Sequence, residues 1–235
     1  MKTATSYLGR LLTGFVVIAV FAGCALTGAD PDDISVLLED DERVPGINVT
    51  KYSRATFSDS LDESEDVDME IFANWYGFKK GAINDGVIQA LTPNFSDTVS
   101  VAWSSDSQDP SEDESQWVLY EFPVSIEVRR IVLYARTDTM PSYGEPGRNF
   151  PQDFEVYVTN RDPETVIANW ANFAGEKVYE YRAPARIVPT VANPSREHDM
   201  TLVKAGTYVI LRITRNTGDY TQIGEFEVYG EPQGN

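Results

Sequence analysis

Two residues that occur once each, Cys24 and His198, frame the chemistry open to this chain. A single cysteine forms no intramolecular disulfide, and a single histidine supplies neither a histidine dyad nor a multi-histidine metal site. Carboxylates are plentiful, 37 Asp and Glu against 19 Lys and Arg. Two of them suffice for glycoside hydrolysis when held roughly 5–10 Å apart, yet no spacing in the sequence singles out a pair. The Gly-x-Ser-x-Gly elbow, the phosphate-binding loop and the zinc-ligating histidine pair are all missing from the sequence. The residue types therefore favour binding over catalysis, and the chain reads as a non-enzyme. A formal net charge of −18 repels phosphate backbones, which argues against nucleic acid as a partner.

What Cys24 can do follows from what precedes it. Residues 1–10 carry Lys2 and Arg10 and no acid, and residues 11–23 are uncharged and mostly apolar. These are the two regions of a secretory signal. Thirteen helical residues rise about 20 Å, short of a hydrocarbon core of roughly 30 Å, so a permanent span is the weaker reading. The segment ends Phe21-Ala22-Gly23-Cys24, which resembles the bacterial lipobox, with Phe21 where Leu is usual. The resemblance implies cleavage before Cys24 and a lipid on its thiol. That would place the protein in the bacterial cell envelope, on an outer membrane or the cell surface, with the membrane as partner. The alternative is ordinary cleavage near Thr27-Gly28-Ala29. Residues 24–45 follow with seven acids and one base after Cys24, a self-repelling stretch that reads as a tether, with a short helix at Ile34–Leu38 left open.

After Gly46 the dominant hydrophobic period is two. Trp117–Phe122, Val128–Arg136, Phe154–Val158, Thr207–Thr214 and Phe226–Tyr229 alternate or are rich in β-branched and aromatic residues. Phe154, Val156 and Val158 share one face, as do Val209, Leu211 and Ile213. Only Glu164–Phe173 shows a weak helical pattern. The strands predict an all-β, antiparallel sandwich over residues 46–231 with long loops, followed by a tail at 232–235. The acidic runs Asp59–Glu70 and Ser104–Ser115 lack the spacing of an EF-hand and read as solvated loop. Trp103 and Trp117 are expected in the core.

Four ordered segments resemble the discoidin family, also called coagulation factor V/VIII C-type domains, which includes bacterial family 32 carbohydrate-binding modules with a galactose-binding-like jelly roll. They are Ala82–Gly86 with Trp103-Ser104-Ser105 downstream, Trp117-Val118-Leu119 leading into Ile126–Arg136, Gly147–Val156 containing Phe150-Pro151-x-Asp153-Phe154, and Gly224–Gly230. The departures are the missing terminal disulfide, an inserted Val87–Val101 and a long Ala183–Met200. Physical chemistry agrees at two points. Gly86 suits a turn that needs positive φ, and Pro151 suits the first residue of a strand, where the lost N–H costs nothing.

The resemblance implies a non-catalytic glycan-binding function and, with it, one structural calcium ion held by loop carbonyls together with Asp85 and Glu225. Against this, Asp85 could be a self-bonded turn residue and Glu225 an outward strand position. Sugars are recognised by an aromatic ring stacked on an apolar ring face, with charged or amide groups bonded to hydroxyls. The loop-borne candidates are Trp75, Tyr76, Tyr143, Arg148, Arg196, His198, Asn216 and Tyr220. Trp75, Tyr76, Tyr143, Arg148, Asn216 and Tyr220 are expected to converge at one end, and His198 reads most simply as a solvated loop histidine. The competing reading is a protein-interaction or assembly module using the same loops against another envelope protein.

Overall fold

The computed structural model describes residues 46–76, 78–86, 88, 102–107, 109–136 and 147–234, without the side chains of residues 72 and 74–76. Cys24, the tether and Tyr143 lie outside them. The strands are β1 (Ile47–Asn48), β2 (Arg54–Phe57), β3 (Trp103–Ser104), β4 (Gln116–Tyr134), β5 (Pro151–Thr159), β6 (Lys177–Arg182), β7 (Ser195–Asn216), β8 (Gln222–Ile223) and β9 (Glu225–Pro232). Helix α1 (Val67–Tyr76) lies between β2 and β3, and α2 (Pro163–Ala168) between β5 and β6. All strand pairing between these elements is antiparallel.

The 19-residue β4 and 22-residue β7 pair along their whole length, from Gln116↔Ile213 to Tyr134↔Ser195. Their register breaks between Glu121 and Ile126, where Pro123 cannot donate to a ladder. Opposite the break, Gly206 lets the chain pass so close that a Cβ would meet the Thr159 carbonyl oxygen at 2.6 Å. On one side of the bend β2, β4, β7, β5 and β6 form one layer; on the other, β7, β4, β9 and β1 form the second. The layers meet face to face, with Tyr120 of the first stacked on Phe226 of the second at 4.8 Å. What reads from sequence as two strands, Trp117–Phe122 and Val128–Arg136, is one bent strand serving both layers.

The alternation places side chains as expected. Phe154, Val156, Val158, Val209, Leu211, Ile213, Phe226 and Val228 all enter the buried core between the layers, together with Trp103. Trp117 does not. It is half-buried on the outer face of the first layer, against Leu119, Tyr157, Val166 and Ile210. It occupies the position of opposite parity to the core residues Val118 and Tyr120, so the ladder turns it outward. That outer face is roofed by α2 and the 3-10 segment Trp170–Glu176, where the weak Glu164–Phe173 pattern stood. Asp162 caps α2 by accepting from the Glu164 N–H, and Pro163 opens it.

Helix α1 corrects the reading of Asp59–Glu70 as loop throughout. The Asp66 carboxylate accepts the Asp68 N–H at 3.0 Å, and Asp68 and Glu70 sit in the first turn, where negative charge meets the positive end of the helix dipole. Met69 and Ala73 pack with Leu61, Phe78 and Ala102. The acidity that resembles a solvated loop is here a helix start.

Candidate functional site

The loops that join the strands at one end of the sandwich are tied to each other by backbone bonds. Gly147 donates to Arg136, Gln222 to Asn149, Ser105 to Thr221 and Asp109 to Asp219. This is the end where β4 finishes and β9 begins, since Tyr134 pairs with Glu225.

Asp85 and Glu225 meet here. Gly86, at φ +77°, points its N–H at the Glu225 carboxylate, 3.1 Å from Oε2. Glu225 alternates away from the core residues Phe226 and Val228, yet it is only 2% exposed because the 80–86 turn covers it. Burial, then the nearby negative charge of Asp85, push its carboxyl up to about 8, against the opposing pull of the Gly86 N–H. The turn is held in place by Tyr120. Its fully buried hydroxyl lies 3.0 Å from the Ile83 carbonyl and 2.9 Å from that of Phe226, bridging turn and strand. Burial and the surrounding Glu225, Glu227 and Asp85 carboxylates hold that phenol well above its usual range. Sequence reasoning missed Tyr120 as a positioning residue; the signal available was a hydroxyl-bearing ring at an inward strand position.

Two carboxylates, one exposed and one buried against it, are donors that a hard divalent cation would stabilise. They supply only part of the six to eight oxygens calcium takes. Among the described residues no group of three His, Cys, Asp or Glu is placed to hold a metal. The Ile83 carbonyl is already engaged by Tyr120. Glu227 is engaged as well, accepting from Asn48 Nδ2 at 2.8 Å and the Tyr229 hydroxyl at 3.0 Å.

Of the sugar-contact candidates, Arg148, Asn216 and Tyr220 are brought to this end. Arg148 is exposed and Tyr220 half-buried. Thr217 Oγ1 accepts the Phe150 N–H at 3.1 Å, and the Arg148 carbonyl lies 3.5 Å from where a Cβ on Gly218 would sit, so the two loops are in contact. Asn216 spends its side chain inside its own loop: Nδ2 donates to Thr221 Oγ1 and Oδ1 accepts the Gly218 N–H. Trp75 and Tyr76 sit in the last turn of α1 rather than on a loop. The helix end is tied to the loop end through Phe78, whose ring lies 5.8 Å from the guanidinium of buried Arg136. Arg136 in turn donates to Gln222 Oε1 at 3.1 Å.

His198 and Arg196 are not on a loop. Both lie in β7, paired with Ile131 and Leu133. His198 is 9% exposed, its Nδ1 is 3.0 Å from the Tyr179 hydroxyl, and it packs edge-on to Phe154 at 5.0 Å and beside Tyr181. Burial, then the positive charge of Arg196, lower its pKa to about 4. The strand begins within what reads from sequence as the long Ala183–Met200 connection, and that is why the histidine is structural.

Neither a family model nor a curated protein matches the chain. Solved structures do. A fucolectin from striped bass (Morone saxatilis) serum matches at 16% identity and a TM-score of 0.50, over 79% of this chain and 49% of that one. This chain thus spans about half of the fucolectin chain. A chitosan-binding module of a Paenibacillus chitosanase/glucanase matches at 17% identity and TM-score 0.47, over 78% and 99%. A fucose-binding module of Streptococcus pneumoniae matches at 14% and 0.45, over 81% and 100%. The chain is an antiparallel β-sandwich with the discoidin-like, galactose-binding-like fold that its four motifs resemble.

Proposed function

We propose that this chain is a non-catalytic, carbohydrate-binding lipoprotein of the bacterial cell envelope, which holds a glycan or glycoconjugate at the loop end of its sandwich. The observation that carries the reading is the convergence of Asp85, Glu225, exposed Arg148 and half-buried Tyr220 at one end of a fold shared with a lectin. Arg148 would bond hydroxyls, Tyr220 would offer a ring face, and a calcium ion between Asp85 and Glu225 would stiffen the loops beneath them. A site of a few exposed groups buries little of its ligand, so this reading gives dissociation constants from roughly micromolar to millimolar for a mono- or disaccharide. A glycan array probed with the full chain tests this: binding weakened by Arg148→Ala and Tyr220→Ala at unchanged melting temperature supports it. An array without a hit, or hits indifferent to both substitutions, removes it.

The anchor is part of the proposal and rests on Phe21-Ala22-Gly23-Cys24. Lipid on Cys24 moves the protein into detergent, and Cys24→Ser releases it; an intact mass without lipid refutes the anchor. The second reading, a protein-interaction module, is favoured by one observation. Val67 and Ile71, four residues apart on α1, are 64% and 53% exposed, an apolar pair on one helix face.

A further inference from the structure

The outer face of the first layer carries a depression that shares no residue with the loop-end site. Its volume is about 430 Å³, and it lies between the Trp170–Glu176 segment and the Glu112-Asp113 turn. That is toward the lower end of small-ligand pockets, roughly 300–1,000 Å³.

Its floor is a built polar network. The Glu155 carboxylate, almost wholly buried, accepts from Arg212 Nη1 at 2.8 Å, the Tyr157 hydroxyl at 2.8 Å and Lys177 Nζ at 3.0 Å. Arg212 also gives Nε to Ser115 Oγ at 3.1 Å and Nη2 to the Glu112 carbonyl at 2.5 Å. Its guanidinium lies 5.1 Å from the Trp170 ring, which leans on Tyr157 at 4.9 Å. The two cations in the pocket are therefore committed to the floor, and a phosphate or sulfate would have to compete with Glu155 for them.

What faces the opening is different in kind. Trp170 is a half-buried aromatic wall, Asn169 keeps its amide Nδ2 after Oδ1 accepts the Asn172 N–H, and Asp113 offers an exposed carboxylate acceptor at the rim, while the neighbouring Glu112 carboxylate already accepts from Arg182 Nη2 at 2.8 Å. Ala171 and Ala174, both small, leave the mouth open. Lys177 is paired with Glu180 as well, so a ring face, an amide donor and a carboxylate acceptor stand around a floor whose charges are all paired, and they match an uncharged ring that is apolar on one face and rich in hydroxyls at its edge. We propose that this pocket is a second binding site, taking one neutral hexopyranose unit of a glycan. The loop-end reading and this one can fail separately.

The test uses the full chain in detergent micelles, labelled with 5-fluorotryptophan. Its four tryptophan signals are assigned by single Trp→Phe variants. Each of D-galactose, L-fucose and N-acetyl-D-glucosamine is titrated to about 50 mM, which spans the expected dissociation constants of roughly 0.1–10 mM. The expected result is a saturable shift of the Trp170 signal with at least one sugar. Ala171→Arg, which plugs the mouth, abolishes it at an unchanged melting temperature, and inorganic phosphate does not reproduce it. A Trp170 signal that stays fixed with all three sugars overturns the proposal. So does a shift that survives Ala171→Arg but is lost in Arg148→Ala, since that places the sugar at the loop end alone.

Discussion

Glu155 and Glu225 sit on strands of the same sheet system, both almost inaccessible to water, and their acidities move in opposite directions. Burial alone raises both. At Glu155 the hydrogen bonds from Lys177, Tyr157 and Arg212 outweigh burial and hold the carboxyl below its usual range. At Glu225 the neighbour is another carboxylate, Asp85, and the group rises to about 8. Depth in the fold therefore says little about a buried acid; its partners decide. The outer-face floor is complete in itself, whereas at the loop end Glu225 keeps its proton near neutral pH, a proton that a bound cation would displace.

The sharpest way to break this comparison is to remove one partner from the complete network. Glu155→Ala removes the carboxylate on which Arg212, Lys177 and Tyr157 converge and should cost about 3–5 kcal/mol in denaturant unfolding, as loss of one member of a buried pair does. A cost below about 1 kcal/mol would show that the network is solvated in practice. A third buried group, His198, extends the comparison with no carboxylate bonded to it. The charged groups nearest it are Arg196 and Asp199, and Tyr179 and Tyr181 pack against its ring. Its pKa is depressed in the fold, so the neutral form stabilises. That contribution is whole above an unfolded value near 6.5 and is lost as pH falls toward 4, by about 3 kcal/mol. Subtracting the stability–pH profile of His198→Gln from that of the wild type should isolate this slope; a flat difference would mean the ring is protonated in place.

Calcium sharpens the other half. At 100 times its dissociation constant it should stabilise the wild type by about 2.7 kcal/mol. Glu225→Gln should lose that gain while remaining at least as stable as the wild type in chelator. Equal melting temperatures with calcium and with chelator in the wild type would dismiss the ion. Smallest is Arg148→Ala, which should alter stability by less than about 0.5 kcal/mol and show only in sugar titrations.

Much of the fold was legible because alternation over strands such as Phe154–Val158 and Val209–Ile213 reports a half-buried sheet directly. Trp117 misled because a large aromatic on a strand says core, while parity says outer face. Helix α1 hid because its capping acids have the composition of a loop. At the site, Asp85, Gly86 and Glu225 were legible through a turn that demands glycine and a motif of known order. The Glu155–Arg212 network was not. Its members lie 57 residues apart in the chain and meet only because β5 and β7 pair, with Glu155 opposite Arg212.

The place where the chain enters the sandwich has a mechanical consequence. Ile47 and Asn48 pair with Gly230 and Tyr229, toward the far end of β9 from Glu225, a strand of eight residues that spans about 26 Å. Tension arriving from residue 46 is thus borne first by a two-residue strand, by the Val49 N–H on Val228 at 3.0 Å and by the Val228 N–H on Thr50 Oγ1 at 2.7 Å. These few bonds peel one at a time, while β9 stays laced to β4 along its length. A hard pull on residue 46 would free a few residues there and spend its work on them, sparing the loops at the opposite end.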